Sequence, residues 1–548
     1  MIEILRLNQP WAPTEKRPLV DSDHSFNTQS SIAGSRDDDD ARDQIRTGSG
    51  LLYIHPAQVH GSEVTWANDP TFDVAYAGNI GSNEPILTAG YMNATHYGGP
   101  AHRLQPGADY TTYRVLELWA DSVEPERKGL SRRRMTRMLA PQSSEAPLFF
   151  HLTDSSSKAF RHAVDQMHTV GGFDMLIYSF GSGFQLENTD PTYLARLKAD
   201  IAYARARGIE VGGYDLISDT RGGTGFDAID PVDPNKHEND ACFASGWNRE
   251  LTKRVLTQMA AANLSMLETD GPYCGNPCGS HDHDHYDAAD SVEMQWRGQA
   301  DFYALMREHE VFLHAPDDYL FAGGANKECG GYEENQMSLP RWQWLSIAHQ
   351  ENFDDTWTET PTQAWMFAPL TDYHAGGAAA ALEPFAENIV AWEWTLGTFL
   401  GHGRGACYRG DQLFDTPTVQ AMVTKWATFW VKYRAILIQD IIHIRRPDMQ
   451  SIDSVMHVTA NKTASVCALA MYYNPSLFTQ TATFDLSMYY TGETDAVWLE
   501  YMGNGTAVKT PLARDYTVRV AITLGPREIA YTVVHRDSAQ PPPGIIGS

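Results

Sequence analysis

The chain is poor in cysteine and in positive charge and has no long apolar run, and each shortage removes a class of protein. Six cysteines in 548 residues cannot build the disulfide framework of a small secreted scaffold. No run of eighteen apolar residues occurs, so no membrane-spanning helix is expected. Lysine and arginine number 42 against 69 aspartates and glutamates, a formal net charge of −27. Such a surface repels phosphate backbones, and nucleic acid is not an expected partner. The opening residues, MIEILRLNQPWAPTEKRP, do not follow the basic, apolar, small-residue order of a secretory leader. The compartment stays open between the cytoplasm and, with a trimmed N-terminus, secretion; a homo-oligomer is equally open.

What the chain does have is apolar and aromatic material for a large core: 42% hydrophobic residues, with 14 Trp, 25 Tyr and 21 Phe. Residues 1–50 are polar and irregular, and the run SRDDDDARD reads as a solvated, disordered segment. Residues 51–146 show short alternating runs such as SEVTW and YRVLELWAD, a β-rich N-terminal domain that closes on the connector SRRRMTRML. From 147 to 435 the period changes. Apolar strands (PLFFHLTDS, FDMLIYSF, IEVGGYDLI, LSMLETD, VFLHAPDD, AWMFAPLTD, RGACYRG) alternate with helical segments. This predicts an α/β fold, a (β/α)8 TIM barrel. Residues 436–548 alternate without helices and predict a C-terminal antiparallel β-sandwich of six strands.

The stretch LSMLETDGPYCGN carries the first chemical signal. Side chains two apart share a strand face, so Met266, Glu268 and Asp270 point one way. Two neighbouring buried carboxyls are costly unless partners or a task compensate. In such barrels catalytic groups stand where strands end, and Asp270 precedes a Gly-Pro turn at such an end. The second signal is QENFDDTW, with Asp354, Asp355 and Trp357. Two carboxyls from different loops facing one bond suit glycoside hydrolysis: one attacks the anomeric carbon while the other protonates the leaving oxygen.

Polar and aromatic groups near other strand ends complete a sugar-binding expectation. SFGSGF offers Ser179, the third strand Tyr214, and HAPDDY brings His314 and Asp317. GGYEEN adds Tyr332 and Glu334, and TDYHAGG adds His374. Glu268 joins them as a sugar contact, with pairing to a basic neighbour as its alternative. Cys274 and Cys278 are close enough to pair or to hold a metal. The loop CGSHDHDHYD offers His281, His283 and His285 on one side of an extended segment. A solvated loop beside the site is the expected reading there, and neither metal nor organic cofactor is required.

MLETDGPYCG resembles the fourth-strand nucleophile motif of glycoside hydrolase clan D, the α-galactosidase-like families 27 and 36. NFDDTW resembles that clan's acid/base segment, and the order β-domain, barrel, β-sandwich resembles family 36. The resemblance implies a retaining exo-α-glycosidase acting on a terminal sugar, with Asp270 as nucleophile and Asp354, or Asp355 by a one-residue shift, as acid/base. It departs from the galactosidases in two places. Glu268 stands where they carry a sugar-contacting lysine, and SFGSGF lacks the acidic galactose grip. The alternatives are a transglycosylase of the raffinose-synthase-like branch, a metal-dependent barrel hydrolase built on the His-Asp loop, and a non-catalytic carbohydrate-binding protein.

Overall fold

The computed structural model describes residues 124–269, 276–315, 339–357, 367–372 and 376–538, residues 106–107, and the backbone of four strands nearer the N-terminus. Those four are β1 (Ile2–Leu7), β2 (Ser62–Asn68), β3 (Gly90–His96) and β4 (Arg114–Trp119). β1 pairs antiparallel with β4, and β2 with β3. Residues 2–7 therefore depart from the irregular segment expected over 1–50, because IEILRL finds a partner strand more than a hundred residues away. The rest of 1–50 lies outside the described residues.

Helix α1 (Pro125–Leu139) leads into the α/β region. There follow β5 (Phe149–Leu152), α2 (Ser157–Val170), β6 (Met175–Tyr178), α3 (Pro191–Arg205) and β7 (Glu210–Asp215). A short hairpin, β8 (Asp227–Ile229) and β9 (His237–Ala241), interrupts the alternation before α4 (Gly246–Ala262) and β10 (Met266–Thr269). Then come α5 (Ala288–Glu308), β11 (Phe312–His314), α6 (Arg341–Asp355), β12 (Phe367–Pro369), α7 (Gly377–Ala380), α8 (Ile389–Gly401), β13 (Cys407–Gly410) and α9 (Pro417–Leu437). The caps are written in the sequence. Ser156, Asp190 and Ser245 each accept backbone N–H bonds at a helix start, and Asn263 ends α4 in the left-handed conformation at φ 66°.

Seven described strands form one parallel sheet in the order β11-β10-β7-β6-β5-β13-β12. Parallel strands bury both faces, and β5, β10, β11 and β13 are buried at every position. The sheet is curled. β5 and β11 stand four places apart, about 19 Å in a flat sheet. Yet the rings of Phe149 and Phe312 are 5.7 Å apart, and those of His151 and His314 5.9 Å. Only strands wrapped around a common axis bring these side chains together, as in a barrel.

Phe149, Ile177, Met266 and Phe312 fill one interior layer. The alternate residues Phe150, Leu152, Leu176, Val211, Leu267 and Leu313 face the helices. Close strand packing explains the glycine pair of β7. A Cβ on Gly212 would sit 2.3 Å from the Met266 carbonyl oxygen, and one on Gly213 2.2 Å from the Phe184 ring.

Beyond α9 lie eight strands: β14 (Asp440–Arg445), β15 (Asp453–Val458), β16 (Val466–Tyr473), β17 (Gln480–Ser487), β18 (Ala496–Tyr501), β19 (Ala507–Pro511), β20 (Thr517–Leu524) and β21 (Ile529–Arg536). Six make one antiparallel sheet, β14-β15-β16-β21-β18-β19, and β17 pairs with β20. Phe484, Leu486, Val518 and Ile522 of that pair share a core with Met456, Ala470, Tyr472 and Val534. β15 and β19 exceed the six strands expected. β15 is buried at all six positions and so shows no alternation.

Arg133 joins the parts. It is fully buried and donates to the carbonyls of Thr356 (2.5 Å), Trp357 (2.7 Å) and Ile441 (2.8 Å), and it pairs with Glu126 at 3.2 Å. Beside it Arg134 donates twice to Asp440 (2.6 and 3.0 Å). The Arg-rich connector is thus an internal joint. Among the described residues no helix is long and apolar enough to cross a membrane.

Candidate active site

The inward carboxyl of β10 has partners. Glu268 Oε2 accepts from His151 Nε2 at 2.6 Å and from His314 Nδ1 at 3.0 Å. The three side chains come from β5, β10 and β11 and are at most 2% exposed. Burial alone would raise the Glu268 carboxyl. The charge and hydrogen bond of His151, with the bond to His314, outweigh it and hold the group well below the usual carboxylate range. Burial keeps His314 below its ordinary value. Cys407 of β13 lies in the same close group, in which both imidazoles bond the one carboxylate oxygen Oε2.

Above this floor the strand ends bring further groups together. Tyr214 stands beside Glu268 in register, and its ring meets Phe180 edge-on at 5.4 Å. Phe180 is half exposed. Arg409 of β13, beside His151 in register, is buried, with its guanidinium 5.2 Å from the Phe367 ring centre. It donates to the Phe180 carbonyl at 3.3 Å. Ser179 is buried at the end of β6, and the Thr153 hydroxyl donates to Asp411.

Asp215 ends β7 opposite Thr269, the residue just before Asp270. Burial raises its carboxyl to about 7, offset in part by Arg221 and reinforced by Glu187. Arg221 pairs with both acids.

Of the expected site residues, the structure gathers Glu268, His314, Tyr214 and Ser179 at this end. Asp270, Asp317, Tyr332, Glu334 and His374 lie outside the described residues. His151, Arg409 and Asp215 were not anticipated individually. A histidine inside PLFFHL and the basic residue of CYRGD were the available signals.

Asp354, Asp355 and Trp357 require correction. A crossover helix runs antiparallel to the strands it joins, so the last residues of α6 lie where strands begin. Asp355 faces Arg404 at 3.5 Å. The next residue, Gly405, packs against the Pro147 carbonyl ahead of β5. Asp354 is held by Arg446 through two bonds of 2.9 and 2.5 Å. Trp357 stacks on His443 at 4.0 Å and offers no wall to a sugar. The physical reason is directional: the DD pair terminates a helix, and helix ends and strand ends occupy opposite faces of a barrel.

Neither a protein-family model nor a curated protein matches this chain. Solved structures do match, and they define the class of fold as that of the family 36 α-galactosidases, within glycoside hydrolase clan D. The α-galactosidase AgaB of Geobacillus stearothermophilus aligns with a TM-score of 0.57 at 11% identity, over 79% of this chain and 61% of its own. AgaA from the same organism gives 0.54 at 10%, over 81% and 61%. The α-galactosidase of Lactobacillus brevis gives 0.55 at 11%, over 78% and 60%. The chain thus spans about three fifths of the length of these enzymes.

Proposed function

We propose that the protein is a retaining exo-α-glycosidase, α-galactosidase-like, acting on a terminal sugar of an oligo- or polysaccharide. The observation carrying the proposal is that β10 ends at Thr269, directly before the Asp of the MLETDGPYC motif, in a curled parallel sheet of the clan D fold. Asp270 attacks the anomeric carbon and expels the leaving oxygen, giving a covalent glycosyl-enzyme that water then opens. The proton donor belongs to the strand-finish end. Asp317, three residues after the end of β11, is the first candidate by its place in the sequence.

Glu268 takes a supporting role in this scheme. It sits where the galactosidases carry lysine, and one of its oxygens is bonded by two histidines. Recognition of the glycon therefore falls to Tyr214, Ser179 and Arg409, and the sugar need not be galactose.

The test is labelling with a panel of activated 2-deoxy-2-fluoro glycosides followed by peptide mass spectrometry. A label on Asp270, together with loss of at least about 10³-fold in turnover for Asp270→Asn, supports the assignment. A label on another residue, or full turnover in the variant, overturns it.

A further inference from the structure

We infer that Cys242, Cys278, His283 and His285 form a closed, structural zinc site that fastens the two loops following β7 and β10. One ligating atom from each of the four lies within 4.8 Å of every other. A tetrahedral zinc with bonds of about 2.3 Å to sulfur and about 2.0–2.1 Å to nitrogen needs ligand separations of about 3.3–3.8 Å. Cys278 Sγ and His283 Nδ1 already stand at 3.3 Å.

Sequence spacing could not reveal this set, because Cys242 follows β9 and is 36 residues from Cys278, across a helix and a strand. Of the three loop histidines, His281 is exposed and stays out of the group, while His285 is 8% exposed.

The surroundings are those of a metal site. Both thiols are fully buried, packed with Ala228 and Ala244 and touched by Ile229 and Met294. The Ile229 N–H points at Cys278 Sγ at 3.4 Å. His285 Nδ1 donates to the Asp287 carbonyl at 3.2 Å. That bond fixes the tautomer with a lone pair on Nε2, and Nε2 is buried without a hydrogen-bond partner. A buried imidazole lone pair close to two thiols is a donor set that a cation completes.

Two thiolates and two imidazoles select zinc over calcium or magnesium, which take oxygen ligands. Four protein ligands leave no position for a reactive water, so the site is structural. That removes the basis for a metal-dependent hydrolase built on this loop.

The backbone shows what the ion would secure. Gly279 N–H donates to the Ile229 carbonyl and Asp284 N–H to the Ala244 carbonyl, both at 2.7 Å. The β8–β9 excursion is thereby laced to the loop between Asn276 and α5. In the sequence, residues 270–275, with the proposed nucleophile, connect β10 to that loop.

Elemental analysis of the purified full chain tests the inference with no activity readout, so it stands apart from the glycosidase reading. The expected result is about one zinc per chain after exhaustive desalting, falling below about 0.1 in Cys278→Ser and His285→Ala and unchanged in His281→Ala. Growth in cobalt covers the case of variants that do not fold: the wild type should show the intense visible bands of tetrahedral Co(II) with thiolate charge transfer. A folded wild type carrying less than about 0.2 metal per chain overturns the proposal, as does a Cys242–Cys278 disulfide peptide.

Discussion

The two ends of the barrel treat their carboxylates differently. Where the strands begin, Asp354 and Asp355 are tied to Arg446 and Arg404, and Asp440 to Arg134 and Arg137. The chain there is closed against the C-terminal sheet. Where the strands finish, Glu268 is held by two buried histidines, and burial raises the Asp215 carboxyl to about 7 despite its pairing with Arg221. At one end arginines use the carboxylates to join parts of the chain, and at the other the carboxyls are buried among histidines and strand-end groups, which pushes Glu268 down and Asp215 up. Acidic residues in a βα protein are therefore best judged by the end of the unit on which they fall.

The contrast can be broken or sharpened by substitution. Asp270→Asn carries the largest expected effect, set out above. Next comes Glu268→Ala, expected to cost about 3–5 kcal/mol of stability in chemical denaturation, because it strips the acceptor from two buried imidazoles. The folded carboxyl is depressed, so its contribution is present above about pH 4.5 and fades as pH falls toward the lowered value. The variant's melting temperature should accordingly depend less on pH in acid. An unchanged melting temperature with a raised KM would make Glu268 a sugar contact after all.

Asp215 has the opposite sign. Its folded value is raised, so the stability it contributes is full below about pH 4 and is lost as pH rises to about 7. Asp215→Asn should gain melting temperature relative to wild type between pH 5 and pH 8. A constant difference over that range would refute the raised carboxyl. Asp354→Asn carries the smallest effect, about 0–1 kcal/mol, since the Arg446 side chain is 63% exposed. Turnover should stay within about twofold, and a large loss would restore Asp354 to the chemistry.

The barrel was legible because its strands are unbroken apolar runs and its helices carry their caps in sequence. The β8–β9 hairpin was not, since DAI and HENDA are short and polar and are held by contacts to the loop that follows β10. At the site, MLETD announced itself through an anomaly, acids on an inward strand face. NFDDTW misled because local sequence shows that carboxylates cluster and not which way their helix runs. The zinc ligands were half visible. Two of the histidines stood in a suspicious loop, but the cysteine that completes the set with Cys278 arrives through tertiary folding.

Arg133 bears on how the protein can be taken apart. A fragment beginning at residue 147 would contain an apparently whole barrel and yet leave the carbonyls of Thr356, Trp357 and Ile441 facing an empty slot in the interior. Such a fragment should express poorly or aggregate, and the shortest well-behaved version of the protein should begin upstream of Glu124.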